Sequence, residues 1–457
     1  MIDAYSTPCQ WRTSIADGMN RVTGAYLETF PAAVPAVGRE LPLEPAFGGV
    51  YGTRMLSRPL FVPEPAVRRA AADLRTVVDL VASLPDRLFD GDRRRLCAWL
   101  GIDGRAADLA CAVPPGAGTP LYARPDLYYD GTGFRLLELN AGSELGGVDW
   151  AAINDAYLRL PDFRRFAAEH DLGHVDTGRE IATYLRRLAA PVTGGADPVV
   201  ALADISKTMA TYHANYVSFV EHMADRGIDI RITHIADLVE RDGRLHAGGT
   251  PVDVVMRYFT LEEFCAEPRA EEWLAPVLRA QDKGTVVFFA SFDHGITANK
   301  GCLALVSQLR DEGRLSAEEA AAVDRIVPWT RRLTPDLLDR CRAERRRLVL
   351  KPGSGSSGAG VTAGWEATDA EWDGALTAAL AGSFVVQERV DGVLEPVPDG
   401  AGRSDWLPVW GVFVFEHGYA GTLIRVSRAD AGAVVNEATG SAFSCAFTYP
   451  EPEPDPQ

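Results

Sequence analysis

The run Lys351-Pro-Gly-Ser-Gly-Ser-Ser-Gly-Ala-Gly360 follows the apolar residues 348–350 directly. Gly353, Gly355, Gly358 and Gly360, with Ser354, Ser356 and Ser357 among them, make a loop whose backbone N–H groups can approach phosphate oxygens closely. Lys351, at the end of the preceding strand, can reach the same oxygens. Two familiar phosphate motifs fail here. Gly353, Gly355 and Gly358 satisfy G-x-G-x-x-G, but a dinucleotide fingerprint needs a helix to open at the third glycine. Residues 361–365 are strand-like instead, and the next helix signal is the capping box Thr368-Asp-Ala-Glu371. The Walker pattern fails because Ala359 stands where its lysine belongs. The loop is therefore expected to join two strands and to fold over a ligand as a lid.

Residues 383–390 read as a buried strand ending in Gln387-Glu388-Arg389-Val390, where backbone groups and the glutamate can hydrogen-bond an adenine edge. Arg425 lies among apolar neighbours on the second strand of a hairpin turning at Glu416-His417-Gly418, a place suited to clamping a charged transition state. A polar strand end and a surface ion pair are the plain readings of these two features, and both stay open at this point. Strand, lysine, glycine-rich hairpin and strand is the arrangement with which ATP-grasp enzymes clamp ATP. Such a site needs Mg²⁺ held by hard oxygen ligands. Downstream of Arg425 the sequence offers Asn436-Glu437, adjacent and therefore on opposite strand faces. Upstream, Glu138 and Asn140 are two apart, so a strand points both to one face while Leu137 and Leu139 point to a core. The turn Asp130-Gly-Thr-Gly133 folds the chain back, which brings Asp126 of Arg124-Pro-Asp126 to join them. Two carboxylates and one amide oxygen suit a magnesium–nucleotide pair.

In this order the motifs resemble glutathionylspermidine synthetase and its relatives, ATP-grasp ligases of permuted chain order whose metal ligands precede the lysines. The resemblance runs from Arg124, Asp126, Glu138 and Asn140 through ALADISKT, VDVVMRYFTLEEF and Asn299-Lys300. It continues through LVLKPGSGSSGAGV and FVVQERV to WGVFVF, YAGTLIRVS and NEATGSAFSCAF, roughly residues 120–450. It implies an α+β ATP-grasp fold with an additional α/β substrate subdomain. It also implies a carboxylate–amine ligase, in which ATP phosphorylates a carboxylate and an amine attacks the acyl phosphate to form an amide. Carried over, Asp126, Glu138 and Asn140 hold Mg²⁺, and Lys300 and Lys351 contact the ATP phosphates beneath Gly353, Ser354, Gly355, Ser356, Ser357 and Gly358. Gln387, Glu388, Arg389 and Val390 contact adenine, while Arg124 and Arg425 neutralise the acyl phosphate and the tetrahedral intermediate.

Two stretches depart from the family. Ser356-Ser357 replaces its usual Arg-Glu, and AGSELGG after Asn140 replaces its Ala-Asp-Thr-Pro; the second stretch lies next to the expected metal, so the acceptor pocket is expected to differ. The amidase domain that some relatives carry would need about another typical domain of chain and is not expected in these residues. The acid is expected near residues 1–120 and 195–260, where Ser206, Lys207 and Arg257 can grip a carboxylate. A phosphotransferase and a non-catalytic nucleotide-binding protein are the alternatives. Amine-dependent ADP release separates the first, and the intact Asp126, Glu138, Asn140 and both lysines argue against the second.

The elements that must position these residues fall into regions. Residues 1–194 are Pro-rich, helical in places, and carry the magnesium hairpin at about 122–141. Residues 195–283 read as an α/β subdomain, with strands at 198–203, RITHI and VDVVMRYF around the helical TYHANYVSFVEHMADRG. Residues 284–450 hold the ATP-grasp lobes, with the strand VVFFASF, helices from Asn299, from the capping box Ser316-Ala-Glu-Glu319 and from Thr334-Pro335. The Pro- and acid-rich tail 451–457 is expected to be disordered.

The 457 residues are 47% hydrophobic and 24% charged, enough for a sizeable core. Lys plus Arg is 46 against Asp plus Glu 63, a net charge of −17 that argues against nucleic-acid or anionic-membrane binding. No apolar run approaches the ~18 residues that span a bilayer, and no secretory signal opens the sequence. The expectation is a soluble cytoplasmic protein whose partners are a small-molecule acid and an amine. The seven scattered cysteines form no CxxC pair, which speaks against a disulfide framework or zinc site and suits small buried hydrophobes.

Overall fold

The computed structural model describes residues 20–30, 41, 43, 51, 54–112, 121–205, 209–210, 212–355, 358–399, 402–432 and 441–450. Ser206, Lys207, Ser356, Ser357, Asn436, Glu437, Cys9 and the tail 451–457 lie outside the described residues.

Early and late chain are tied together twice. Strand β1 (Leu60–Pro63) pairs in parallel with β20 (Ala446–Tyr449). A seven-stranded antiparallel sheet then combines β2 (Tyr122–Ala123), β3 (Asp126–Tyr129) and β4 (Phe134–Glu138) with β16 (Glu395–Asp399), β17 (Gly402–Phe415), β18 (Gly418–Arg428) and β19 (Ala442–Ser444). Its order is β19-β18-β17-β3-β4, with β2 and β16 also paired to β17. Leu407, Val409, Trp410, Val412, Phe413 and Val414 are all buried, so β17 is covered on both faces, and this explains its nearly unbroken apolar sequence.

The second layer is a parallel sheet of order β11-β10-β5-β6, built from β5 (Val199–Asp204), β6 (Asp229–His234), β10 (Val254–Arg257) and β11 (Val287–Phe289). The helix His213–Ala224 crosses from β5 to β6, as the strand–helix–strand texture expects. A small antiparallel sheet of β7 (Val239–Arg241), β8 (Arg244–Ala247) and β9 (Thr250–Pro251) separates β6 from β10. Its first turn is Asp242-Gly243, with φ of 50° and 77°, the two positive angles of a tight hairpin.

The third sheet is antiparallel, in the order β12-β15-β13-β14, from β12 (Thr330–Arg332), β13 (Leu348–Pro352), β14 (Thr362–Ala363) and β15 (Phe384–Glu388). The helix Asp369–Ala379 packs Trp372 and Leu376 onto its Leu348, Leu350 and Val386. The capping boxes at Ser316 and Thr368 both form. The helix expected from Thr334-Pro335 is broken: Pro335–Leu337 and Arg345–Arg347 are 3₁₀ turns flanking the short α-helix Leu338–Ala343. Among the described residues no helix is long and apolar enough to cross a membrane.

Arg58, 0% exposed, joins the segment before β1 to β16. Its Nε donates to Pro396 O (2.8 Å), its Nη1 to Pro59 O (2.9 Å), and its Nη2 pairs with the buried Glu395 carboxylate. Breaking one side of such a pair leaves a charge in a dry interior. Arg58→Met should lower unfolding stability by about 3–5 kcal/mol, read as a fall in the urea midpoint. Adding Glu395→Met should recover most of that loss; a double variant as weak as the single one would show that shape and not charge holds this corner.

Candidate functional site

The hairpin β3–β4 is irregular where its chemistry sits. Asp126 pairs with Glu138 and Leu127 with Leu136, so the register slips between them and Leu137 is the extra, bulged residue. Regular alternation would put Glu138 on the face of Leu136, which is 0% exposed in the core. The bulge turns Glu138 to the face of Asp126. This corrects the simple alternation expected of the strand: Leu139 is buried, but Leu137 is only half-buried, against Tyr128, Leu394, Leu407 and Val409. The Leu137 carbonyl accepts a hydrogen bond from Lys351 Nζ at 2.9 Å.

Arg425 and Arg124 border the two carboxylates. Arg425 stands opposite Val409 and forms an ion pair with Asp126 Oδ2. Arg124 takes the Asn140 carbonyl with its backbone N–H (2.9 Å) and donates Nη1 to Leu145 O (2.6 Å). Gly411 makes room for it: a Cβ there would lie 3.2 Å from Arg124 Cδ and 3.0 Å from Leu423 O. Nothing in the local sequence marks Gly411.

The glycine-loop side arrives from the third sheet and from the helix Lys300–Asp311. Lys351 and Gln387 share one face of the β13–β15 pair, and Lys351 Nζ donates to Gln387 Oε1 at 2.7 Å. Asn299 caps the helix by accepting Gly301 N–H (2.9 Å), and its amide donates to Ser354 Oγ (3.0 Å). Lys300 N–H donates to Gly353 O (2.8 Å), while Lys300 Nζ lies 3.1 Å from Gly355 O and 3.2 Å from Glu138 Oε2. Gly355, Gly358 and Gly360 have φ of 110°, 70° and 74°, angles that other residues adopt only with strain. The loop therefore rests on a helix N-terminus, a natural anion site. Asn299 was readable only as the residue before Lys300, and its cap-to-loop bridge carries no sequence mark of its own.

Four cations, Arg124, Arg425, Lys300 and Lys351, thus face two carboxylates. Burial pushes the Glu138 carboxyl up, but Lys300 and Lys351 outweigh it and hold it at about 2. Burial lowers Lys351 to about 8, with Glu138 opposing and Lys300 assisting. Asp126 is pushed above its ordinary range by burial, against the pull of Arg425. Its Oδ1 is buried without a hydrogen-bond partner. Among the described residues no group of three or more His, Cys, Asp or Glu gathers as a metal cluster. A cation here would rest on Asp126, Glu138 and an amide oxygen, and the orphaned Oδ1 fits a hard divalent ion.

Other expected residues stand apart. Glu388 pairs with Arg347 at 2.8 Å, and Arg389 lies over Trp365 at 4.4 Å while pairing with Asp391. With Val390 and Trp329 they line a cleft of about 530 Å³ at the end of β15. Arg257 is 2% exposed, its Nε and Nη1 given to the carbonyls of Ala290 and Phe259, with Glu144 at 3.6 Å. It is built into the end of the parallel sheet and does not join the lysines.

No protein-family model matches the chain. In sequence it is 28% identical over 269 residues to an uncharacterized protein of Mycobacterium tuberculosis, covering 57% of this chain and 46% of that one. An uncharacterized protein of Mycobacterium leprae is 27% identical over the same length, covering 57% and 45%. The chain thus matches less than half the length of these relatives. In structure it is similar to a glutathione synthetase-like effector of Globodera pallida, with a TM-score of 0.53 at 12% identity, covering 86% of this chain and 90% of that one. At that identity the likeness is one of fold, and it accounts for most of both chains. The chain has an α+β, ATP-grasp-like fold, the fold it shares with that effector, and its carboxylate hairpin comes ahead of its lysines in the chain.

Proposed function

We propose that the protein is an ATP-dependent carboxylate–amine ligase that makes an amide or peptide bond through an acyl phosphate, releasing ADP and phosphate. One observation carries the reading: Lys300 Nζ stands 3.2 Å from Glu138 and 3.1 Å from Gly355 O, so three distant chain segments meet at a single charged point. Lys300, Lys351 and the helix N-terminus would hold the ATP phosphates under the glycine loop. The cleft beside residues 388–390 would take the adenine. Asp126, Glu138 and Asn140 would hold Mg²⁺, whose chemistry when bound is to offset the phosphate charge.

Arg425 has a further part. Its guanidinium, held beside Asp126, would neutralise charge on the transferring phosphoryl group. Arg124, fixed by Leu145 O and accommodated by Gly411, would stabilise negative charge on the acyl phosphate and on the tetrahedral species that the amine creates. The residues 284–450 together with the hairpin at 122–141 would form the nucleotide half. The parallel sheet, which runs through 195–283 and takes its edge strand β11 from 287–289, would help present the acid, since ligands in such sheets bind beyond the carboxyl ends of the strands.

The reading is tested by measuring ADP release from pairs of acids and amines, including amino acids, short peptides and polyamines. Productive pairs should need both partners, and Glu138→Ala should cut turnover by more than about 100-fold, beyond the loss typical of a supporting residue. ADP release that needs only the acid would point to a phosphotransferase. Unchanged turnover in Glu138→Ala would remove the metal assignment.

Nucleotide binding offers a separate check. A Cβ on residue 353 would lie 2.9 Å from Ser383 O and 3.3 Å from Asn299 Oδ1, so Gly353→Ala must displace the loop. Asn299→Ala removes the cap and its bridge to Ser354, with a helix cost of about 0.5–2 kcal/mol. Each should weaken Mg-ATP binding by about tenfold, equivalent to ~1.4 kcal/mol, in titration calorimetry. Wild-type affinity in both would show that the loop does not cover the phosphates.

A further inference from the structure

Behind the phosphate loop lies a pair of thiols that the ligase reading does not use. Cys97 is on the helix Arg93–Leu100 and is 0% exposed; Cys111 follows the helix Gly104–Ala110 and is half-buried. Their sulfurs are 3.6 Å apart. A disulfide needs about 2.05 Å, so a closure of roughly 1.5 Å would join them.

The helix that carries Cys97 is packed against the site. Leu100 O accepts from the Asn299 amide (3.4 Å), and Trp99 O accepts from Arg332 Nη1 (2.6 Å). A Cβ on Gly301 would lie 2.7 Å from Leu100 Cδ2, and one on Gly101 would lie 2.0 Å from Ser383 Oγ. Ser383 O in turn accepts Gly353 N–H at 2.6 Å. The C-terminal end of this helix thus touches both the first turn that carries Lys300 and the base of the glycine loop. A packed interior transmits displacements of this size to its neighbours.

We propose that Cys97 and Cys111 form a reversible disulfide that shifts the Asn299–Lys300 turn and weakens nucleotide binding. The oxidant is a small-molecule disulfide of the glutathione class. Cys111, the more exposed thiol, attacks it as thiolate and displaces one glutathione thiolate. The Cys97 sulfur then attacks Cys111 in the mixed disulfide and expels the second glutathione, which takes the Cys97 proton. Two protein thiols are oxidised and one glutathione disulfide is reduced to two thiols. Burial pushes the Cys97 thiol up to about 12, reinforced by its contact with Cys111, so Cys111 is the thiol that reacts first.

The test treats the full chain with oxidised glutathione or with dithiothreitol and reads intact mass, peptide maps, hydrogen exchange at residues 299–303 and Mg-ATP affinity. Expected are loss of two hydrogens mapped to Cys97–Cys111, reversal by dithiothreitol, faster exchange in the 299–303 turn and about tenfold weaker Mg-ATP binding. Cys111→Ser should abolish all four changes and keep the reduced protein's affinity. A stable glutathione adduct without the internal bond, or a bond that leaves exchange at 299–303 unchanged, would overturn the proposal. If the bond forms and exchange responds while neither form binds Mg-ATP, the nucleotide reading fails and the weakened-binding half of this proposal falls with it.

Discussion

Glu138 and the two lysines around it are the charge balance on which the site depends. The carboxylate is set on the seven-stranded sheet, Lys351 on the third sheet and Lys300 on a helix between them. No one of these elements can bury its charge alone, because an unpaired ion in a dry interior is costly. Burying them together lets each answer the others. The balance is incomplete by design of its numbers: Lys351 falls to about 8, so its folded form binds its proton less tightly than the free side chain does. A lysine lowered in this way opposes folding while it is charged, and stability rises with pH between about 8 and its unfolded value. Glu138 works in the opposite sense. Held at about 2, it supports folding above its unfolded value of 4.5 and loses that support as pH falls toward 2. The surplus of positive charge is what a polyphosphate would satisfy.

Chain order matters little to this arrangement. Asp126 pairs with Gly411 across the sheet although most of the chain lies between them. A sheet needs only that its strands arrive in register, so a hairpin placed early in the sequence serves as well as one placed late. The cost is kinetic. Pairings of such long sequence separation close large loops before they gain contacts, and folding slows accordingly.

Much of this was legible in the sequence because the relevant signals are local. The Asp130–Gly133 turn and the capping boxes at Ser316 and Thr368 each act within a few residues, and the structure forms them as read, while the glycine run joins two paired strands, β13 and β14, as its flanks suggest. The bulge at Leu137 was not legible, since alternation gives no sign of an extra residue until the partner strand is known. The role of Gly411 is hidden for a related reason: its missing side chain matters only because Arg124 crosses it from another strand. The Asp242-Gly243 hairpin was different. Its dipeptide is a recognised turn signal, and the short strands beside it were simply too polar to stand out. The helix read from Thr334-Pro335 failed because a favourable start does not secure its continuation; the chain breaks into 3₁₀ turns on either side of Leu338–Ala343.

Arg257 shows how one burial decision reshapes the neighbourhood of the carboxylate hairpin. An arginine at the end of β10 would be free to grip an acid if its guanidinium met solvent. Here the side chain turns inward, gives its donors to Ala290 and Phe259 carbonyls, and stacks near the rings of Phe259 and Phe292. A buried guanidinium needs a counter-charge, and Glu144 supplies it at 3.6 Å. Ser143 adds to the junction, donating to Arg257 O and accepting Ala290 N–H at 2.9 Å. Ser143 and Glu144 belong to the AGSELGG segment, the stretch that follows Asn140 directly. The hairpin with the two carboxylates is thereby bolted to the carboxyl ends of β10 and β11 through Arg257, and the residue acts on the site by fixing where that segment runs.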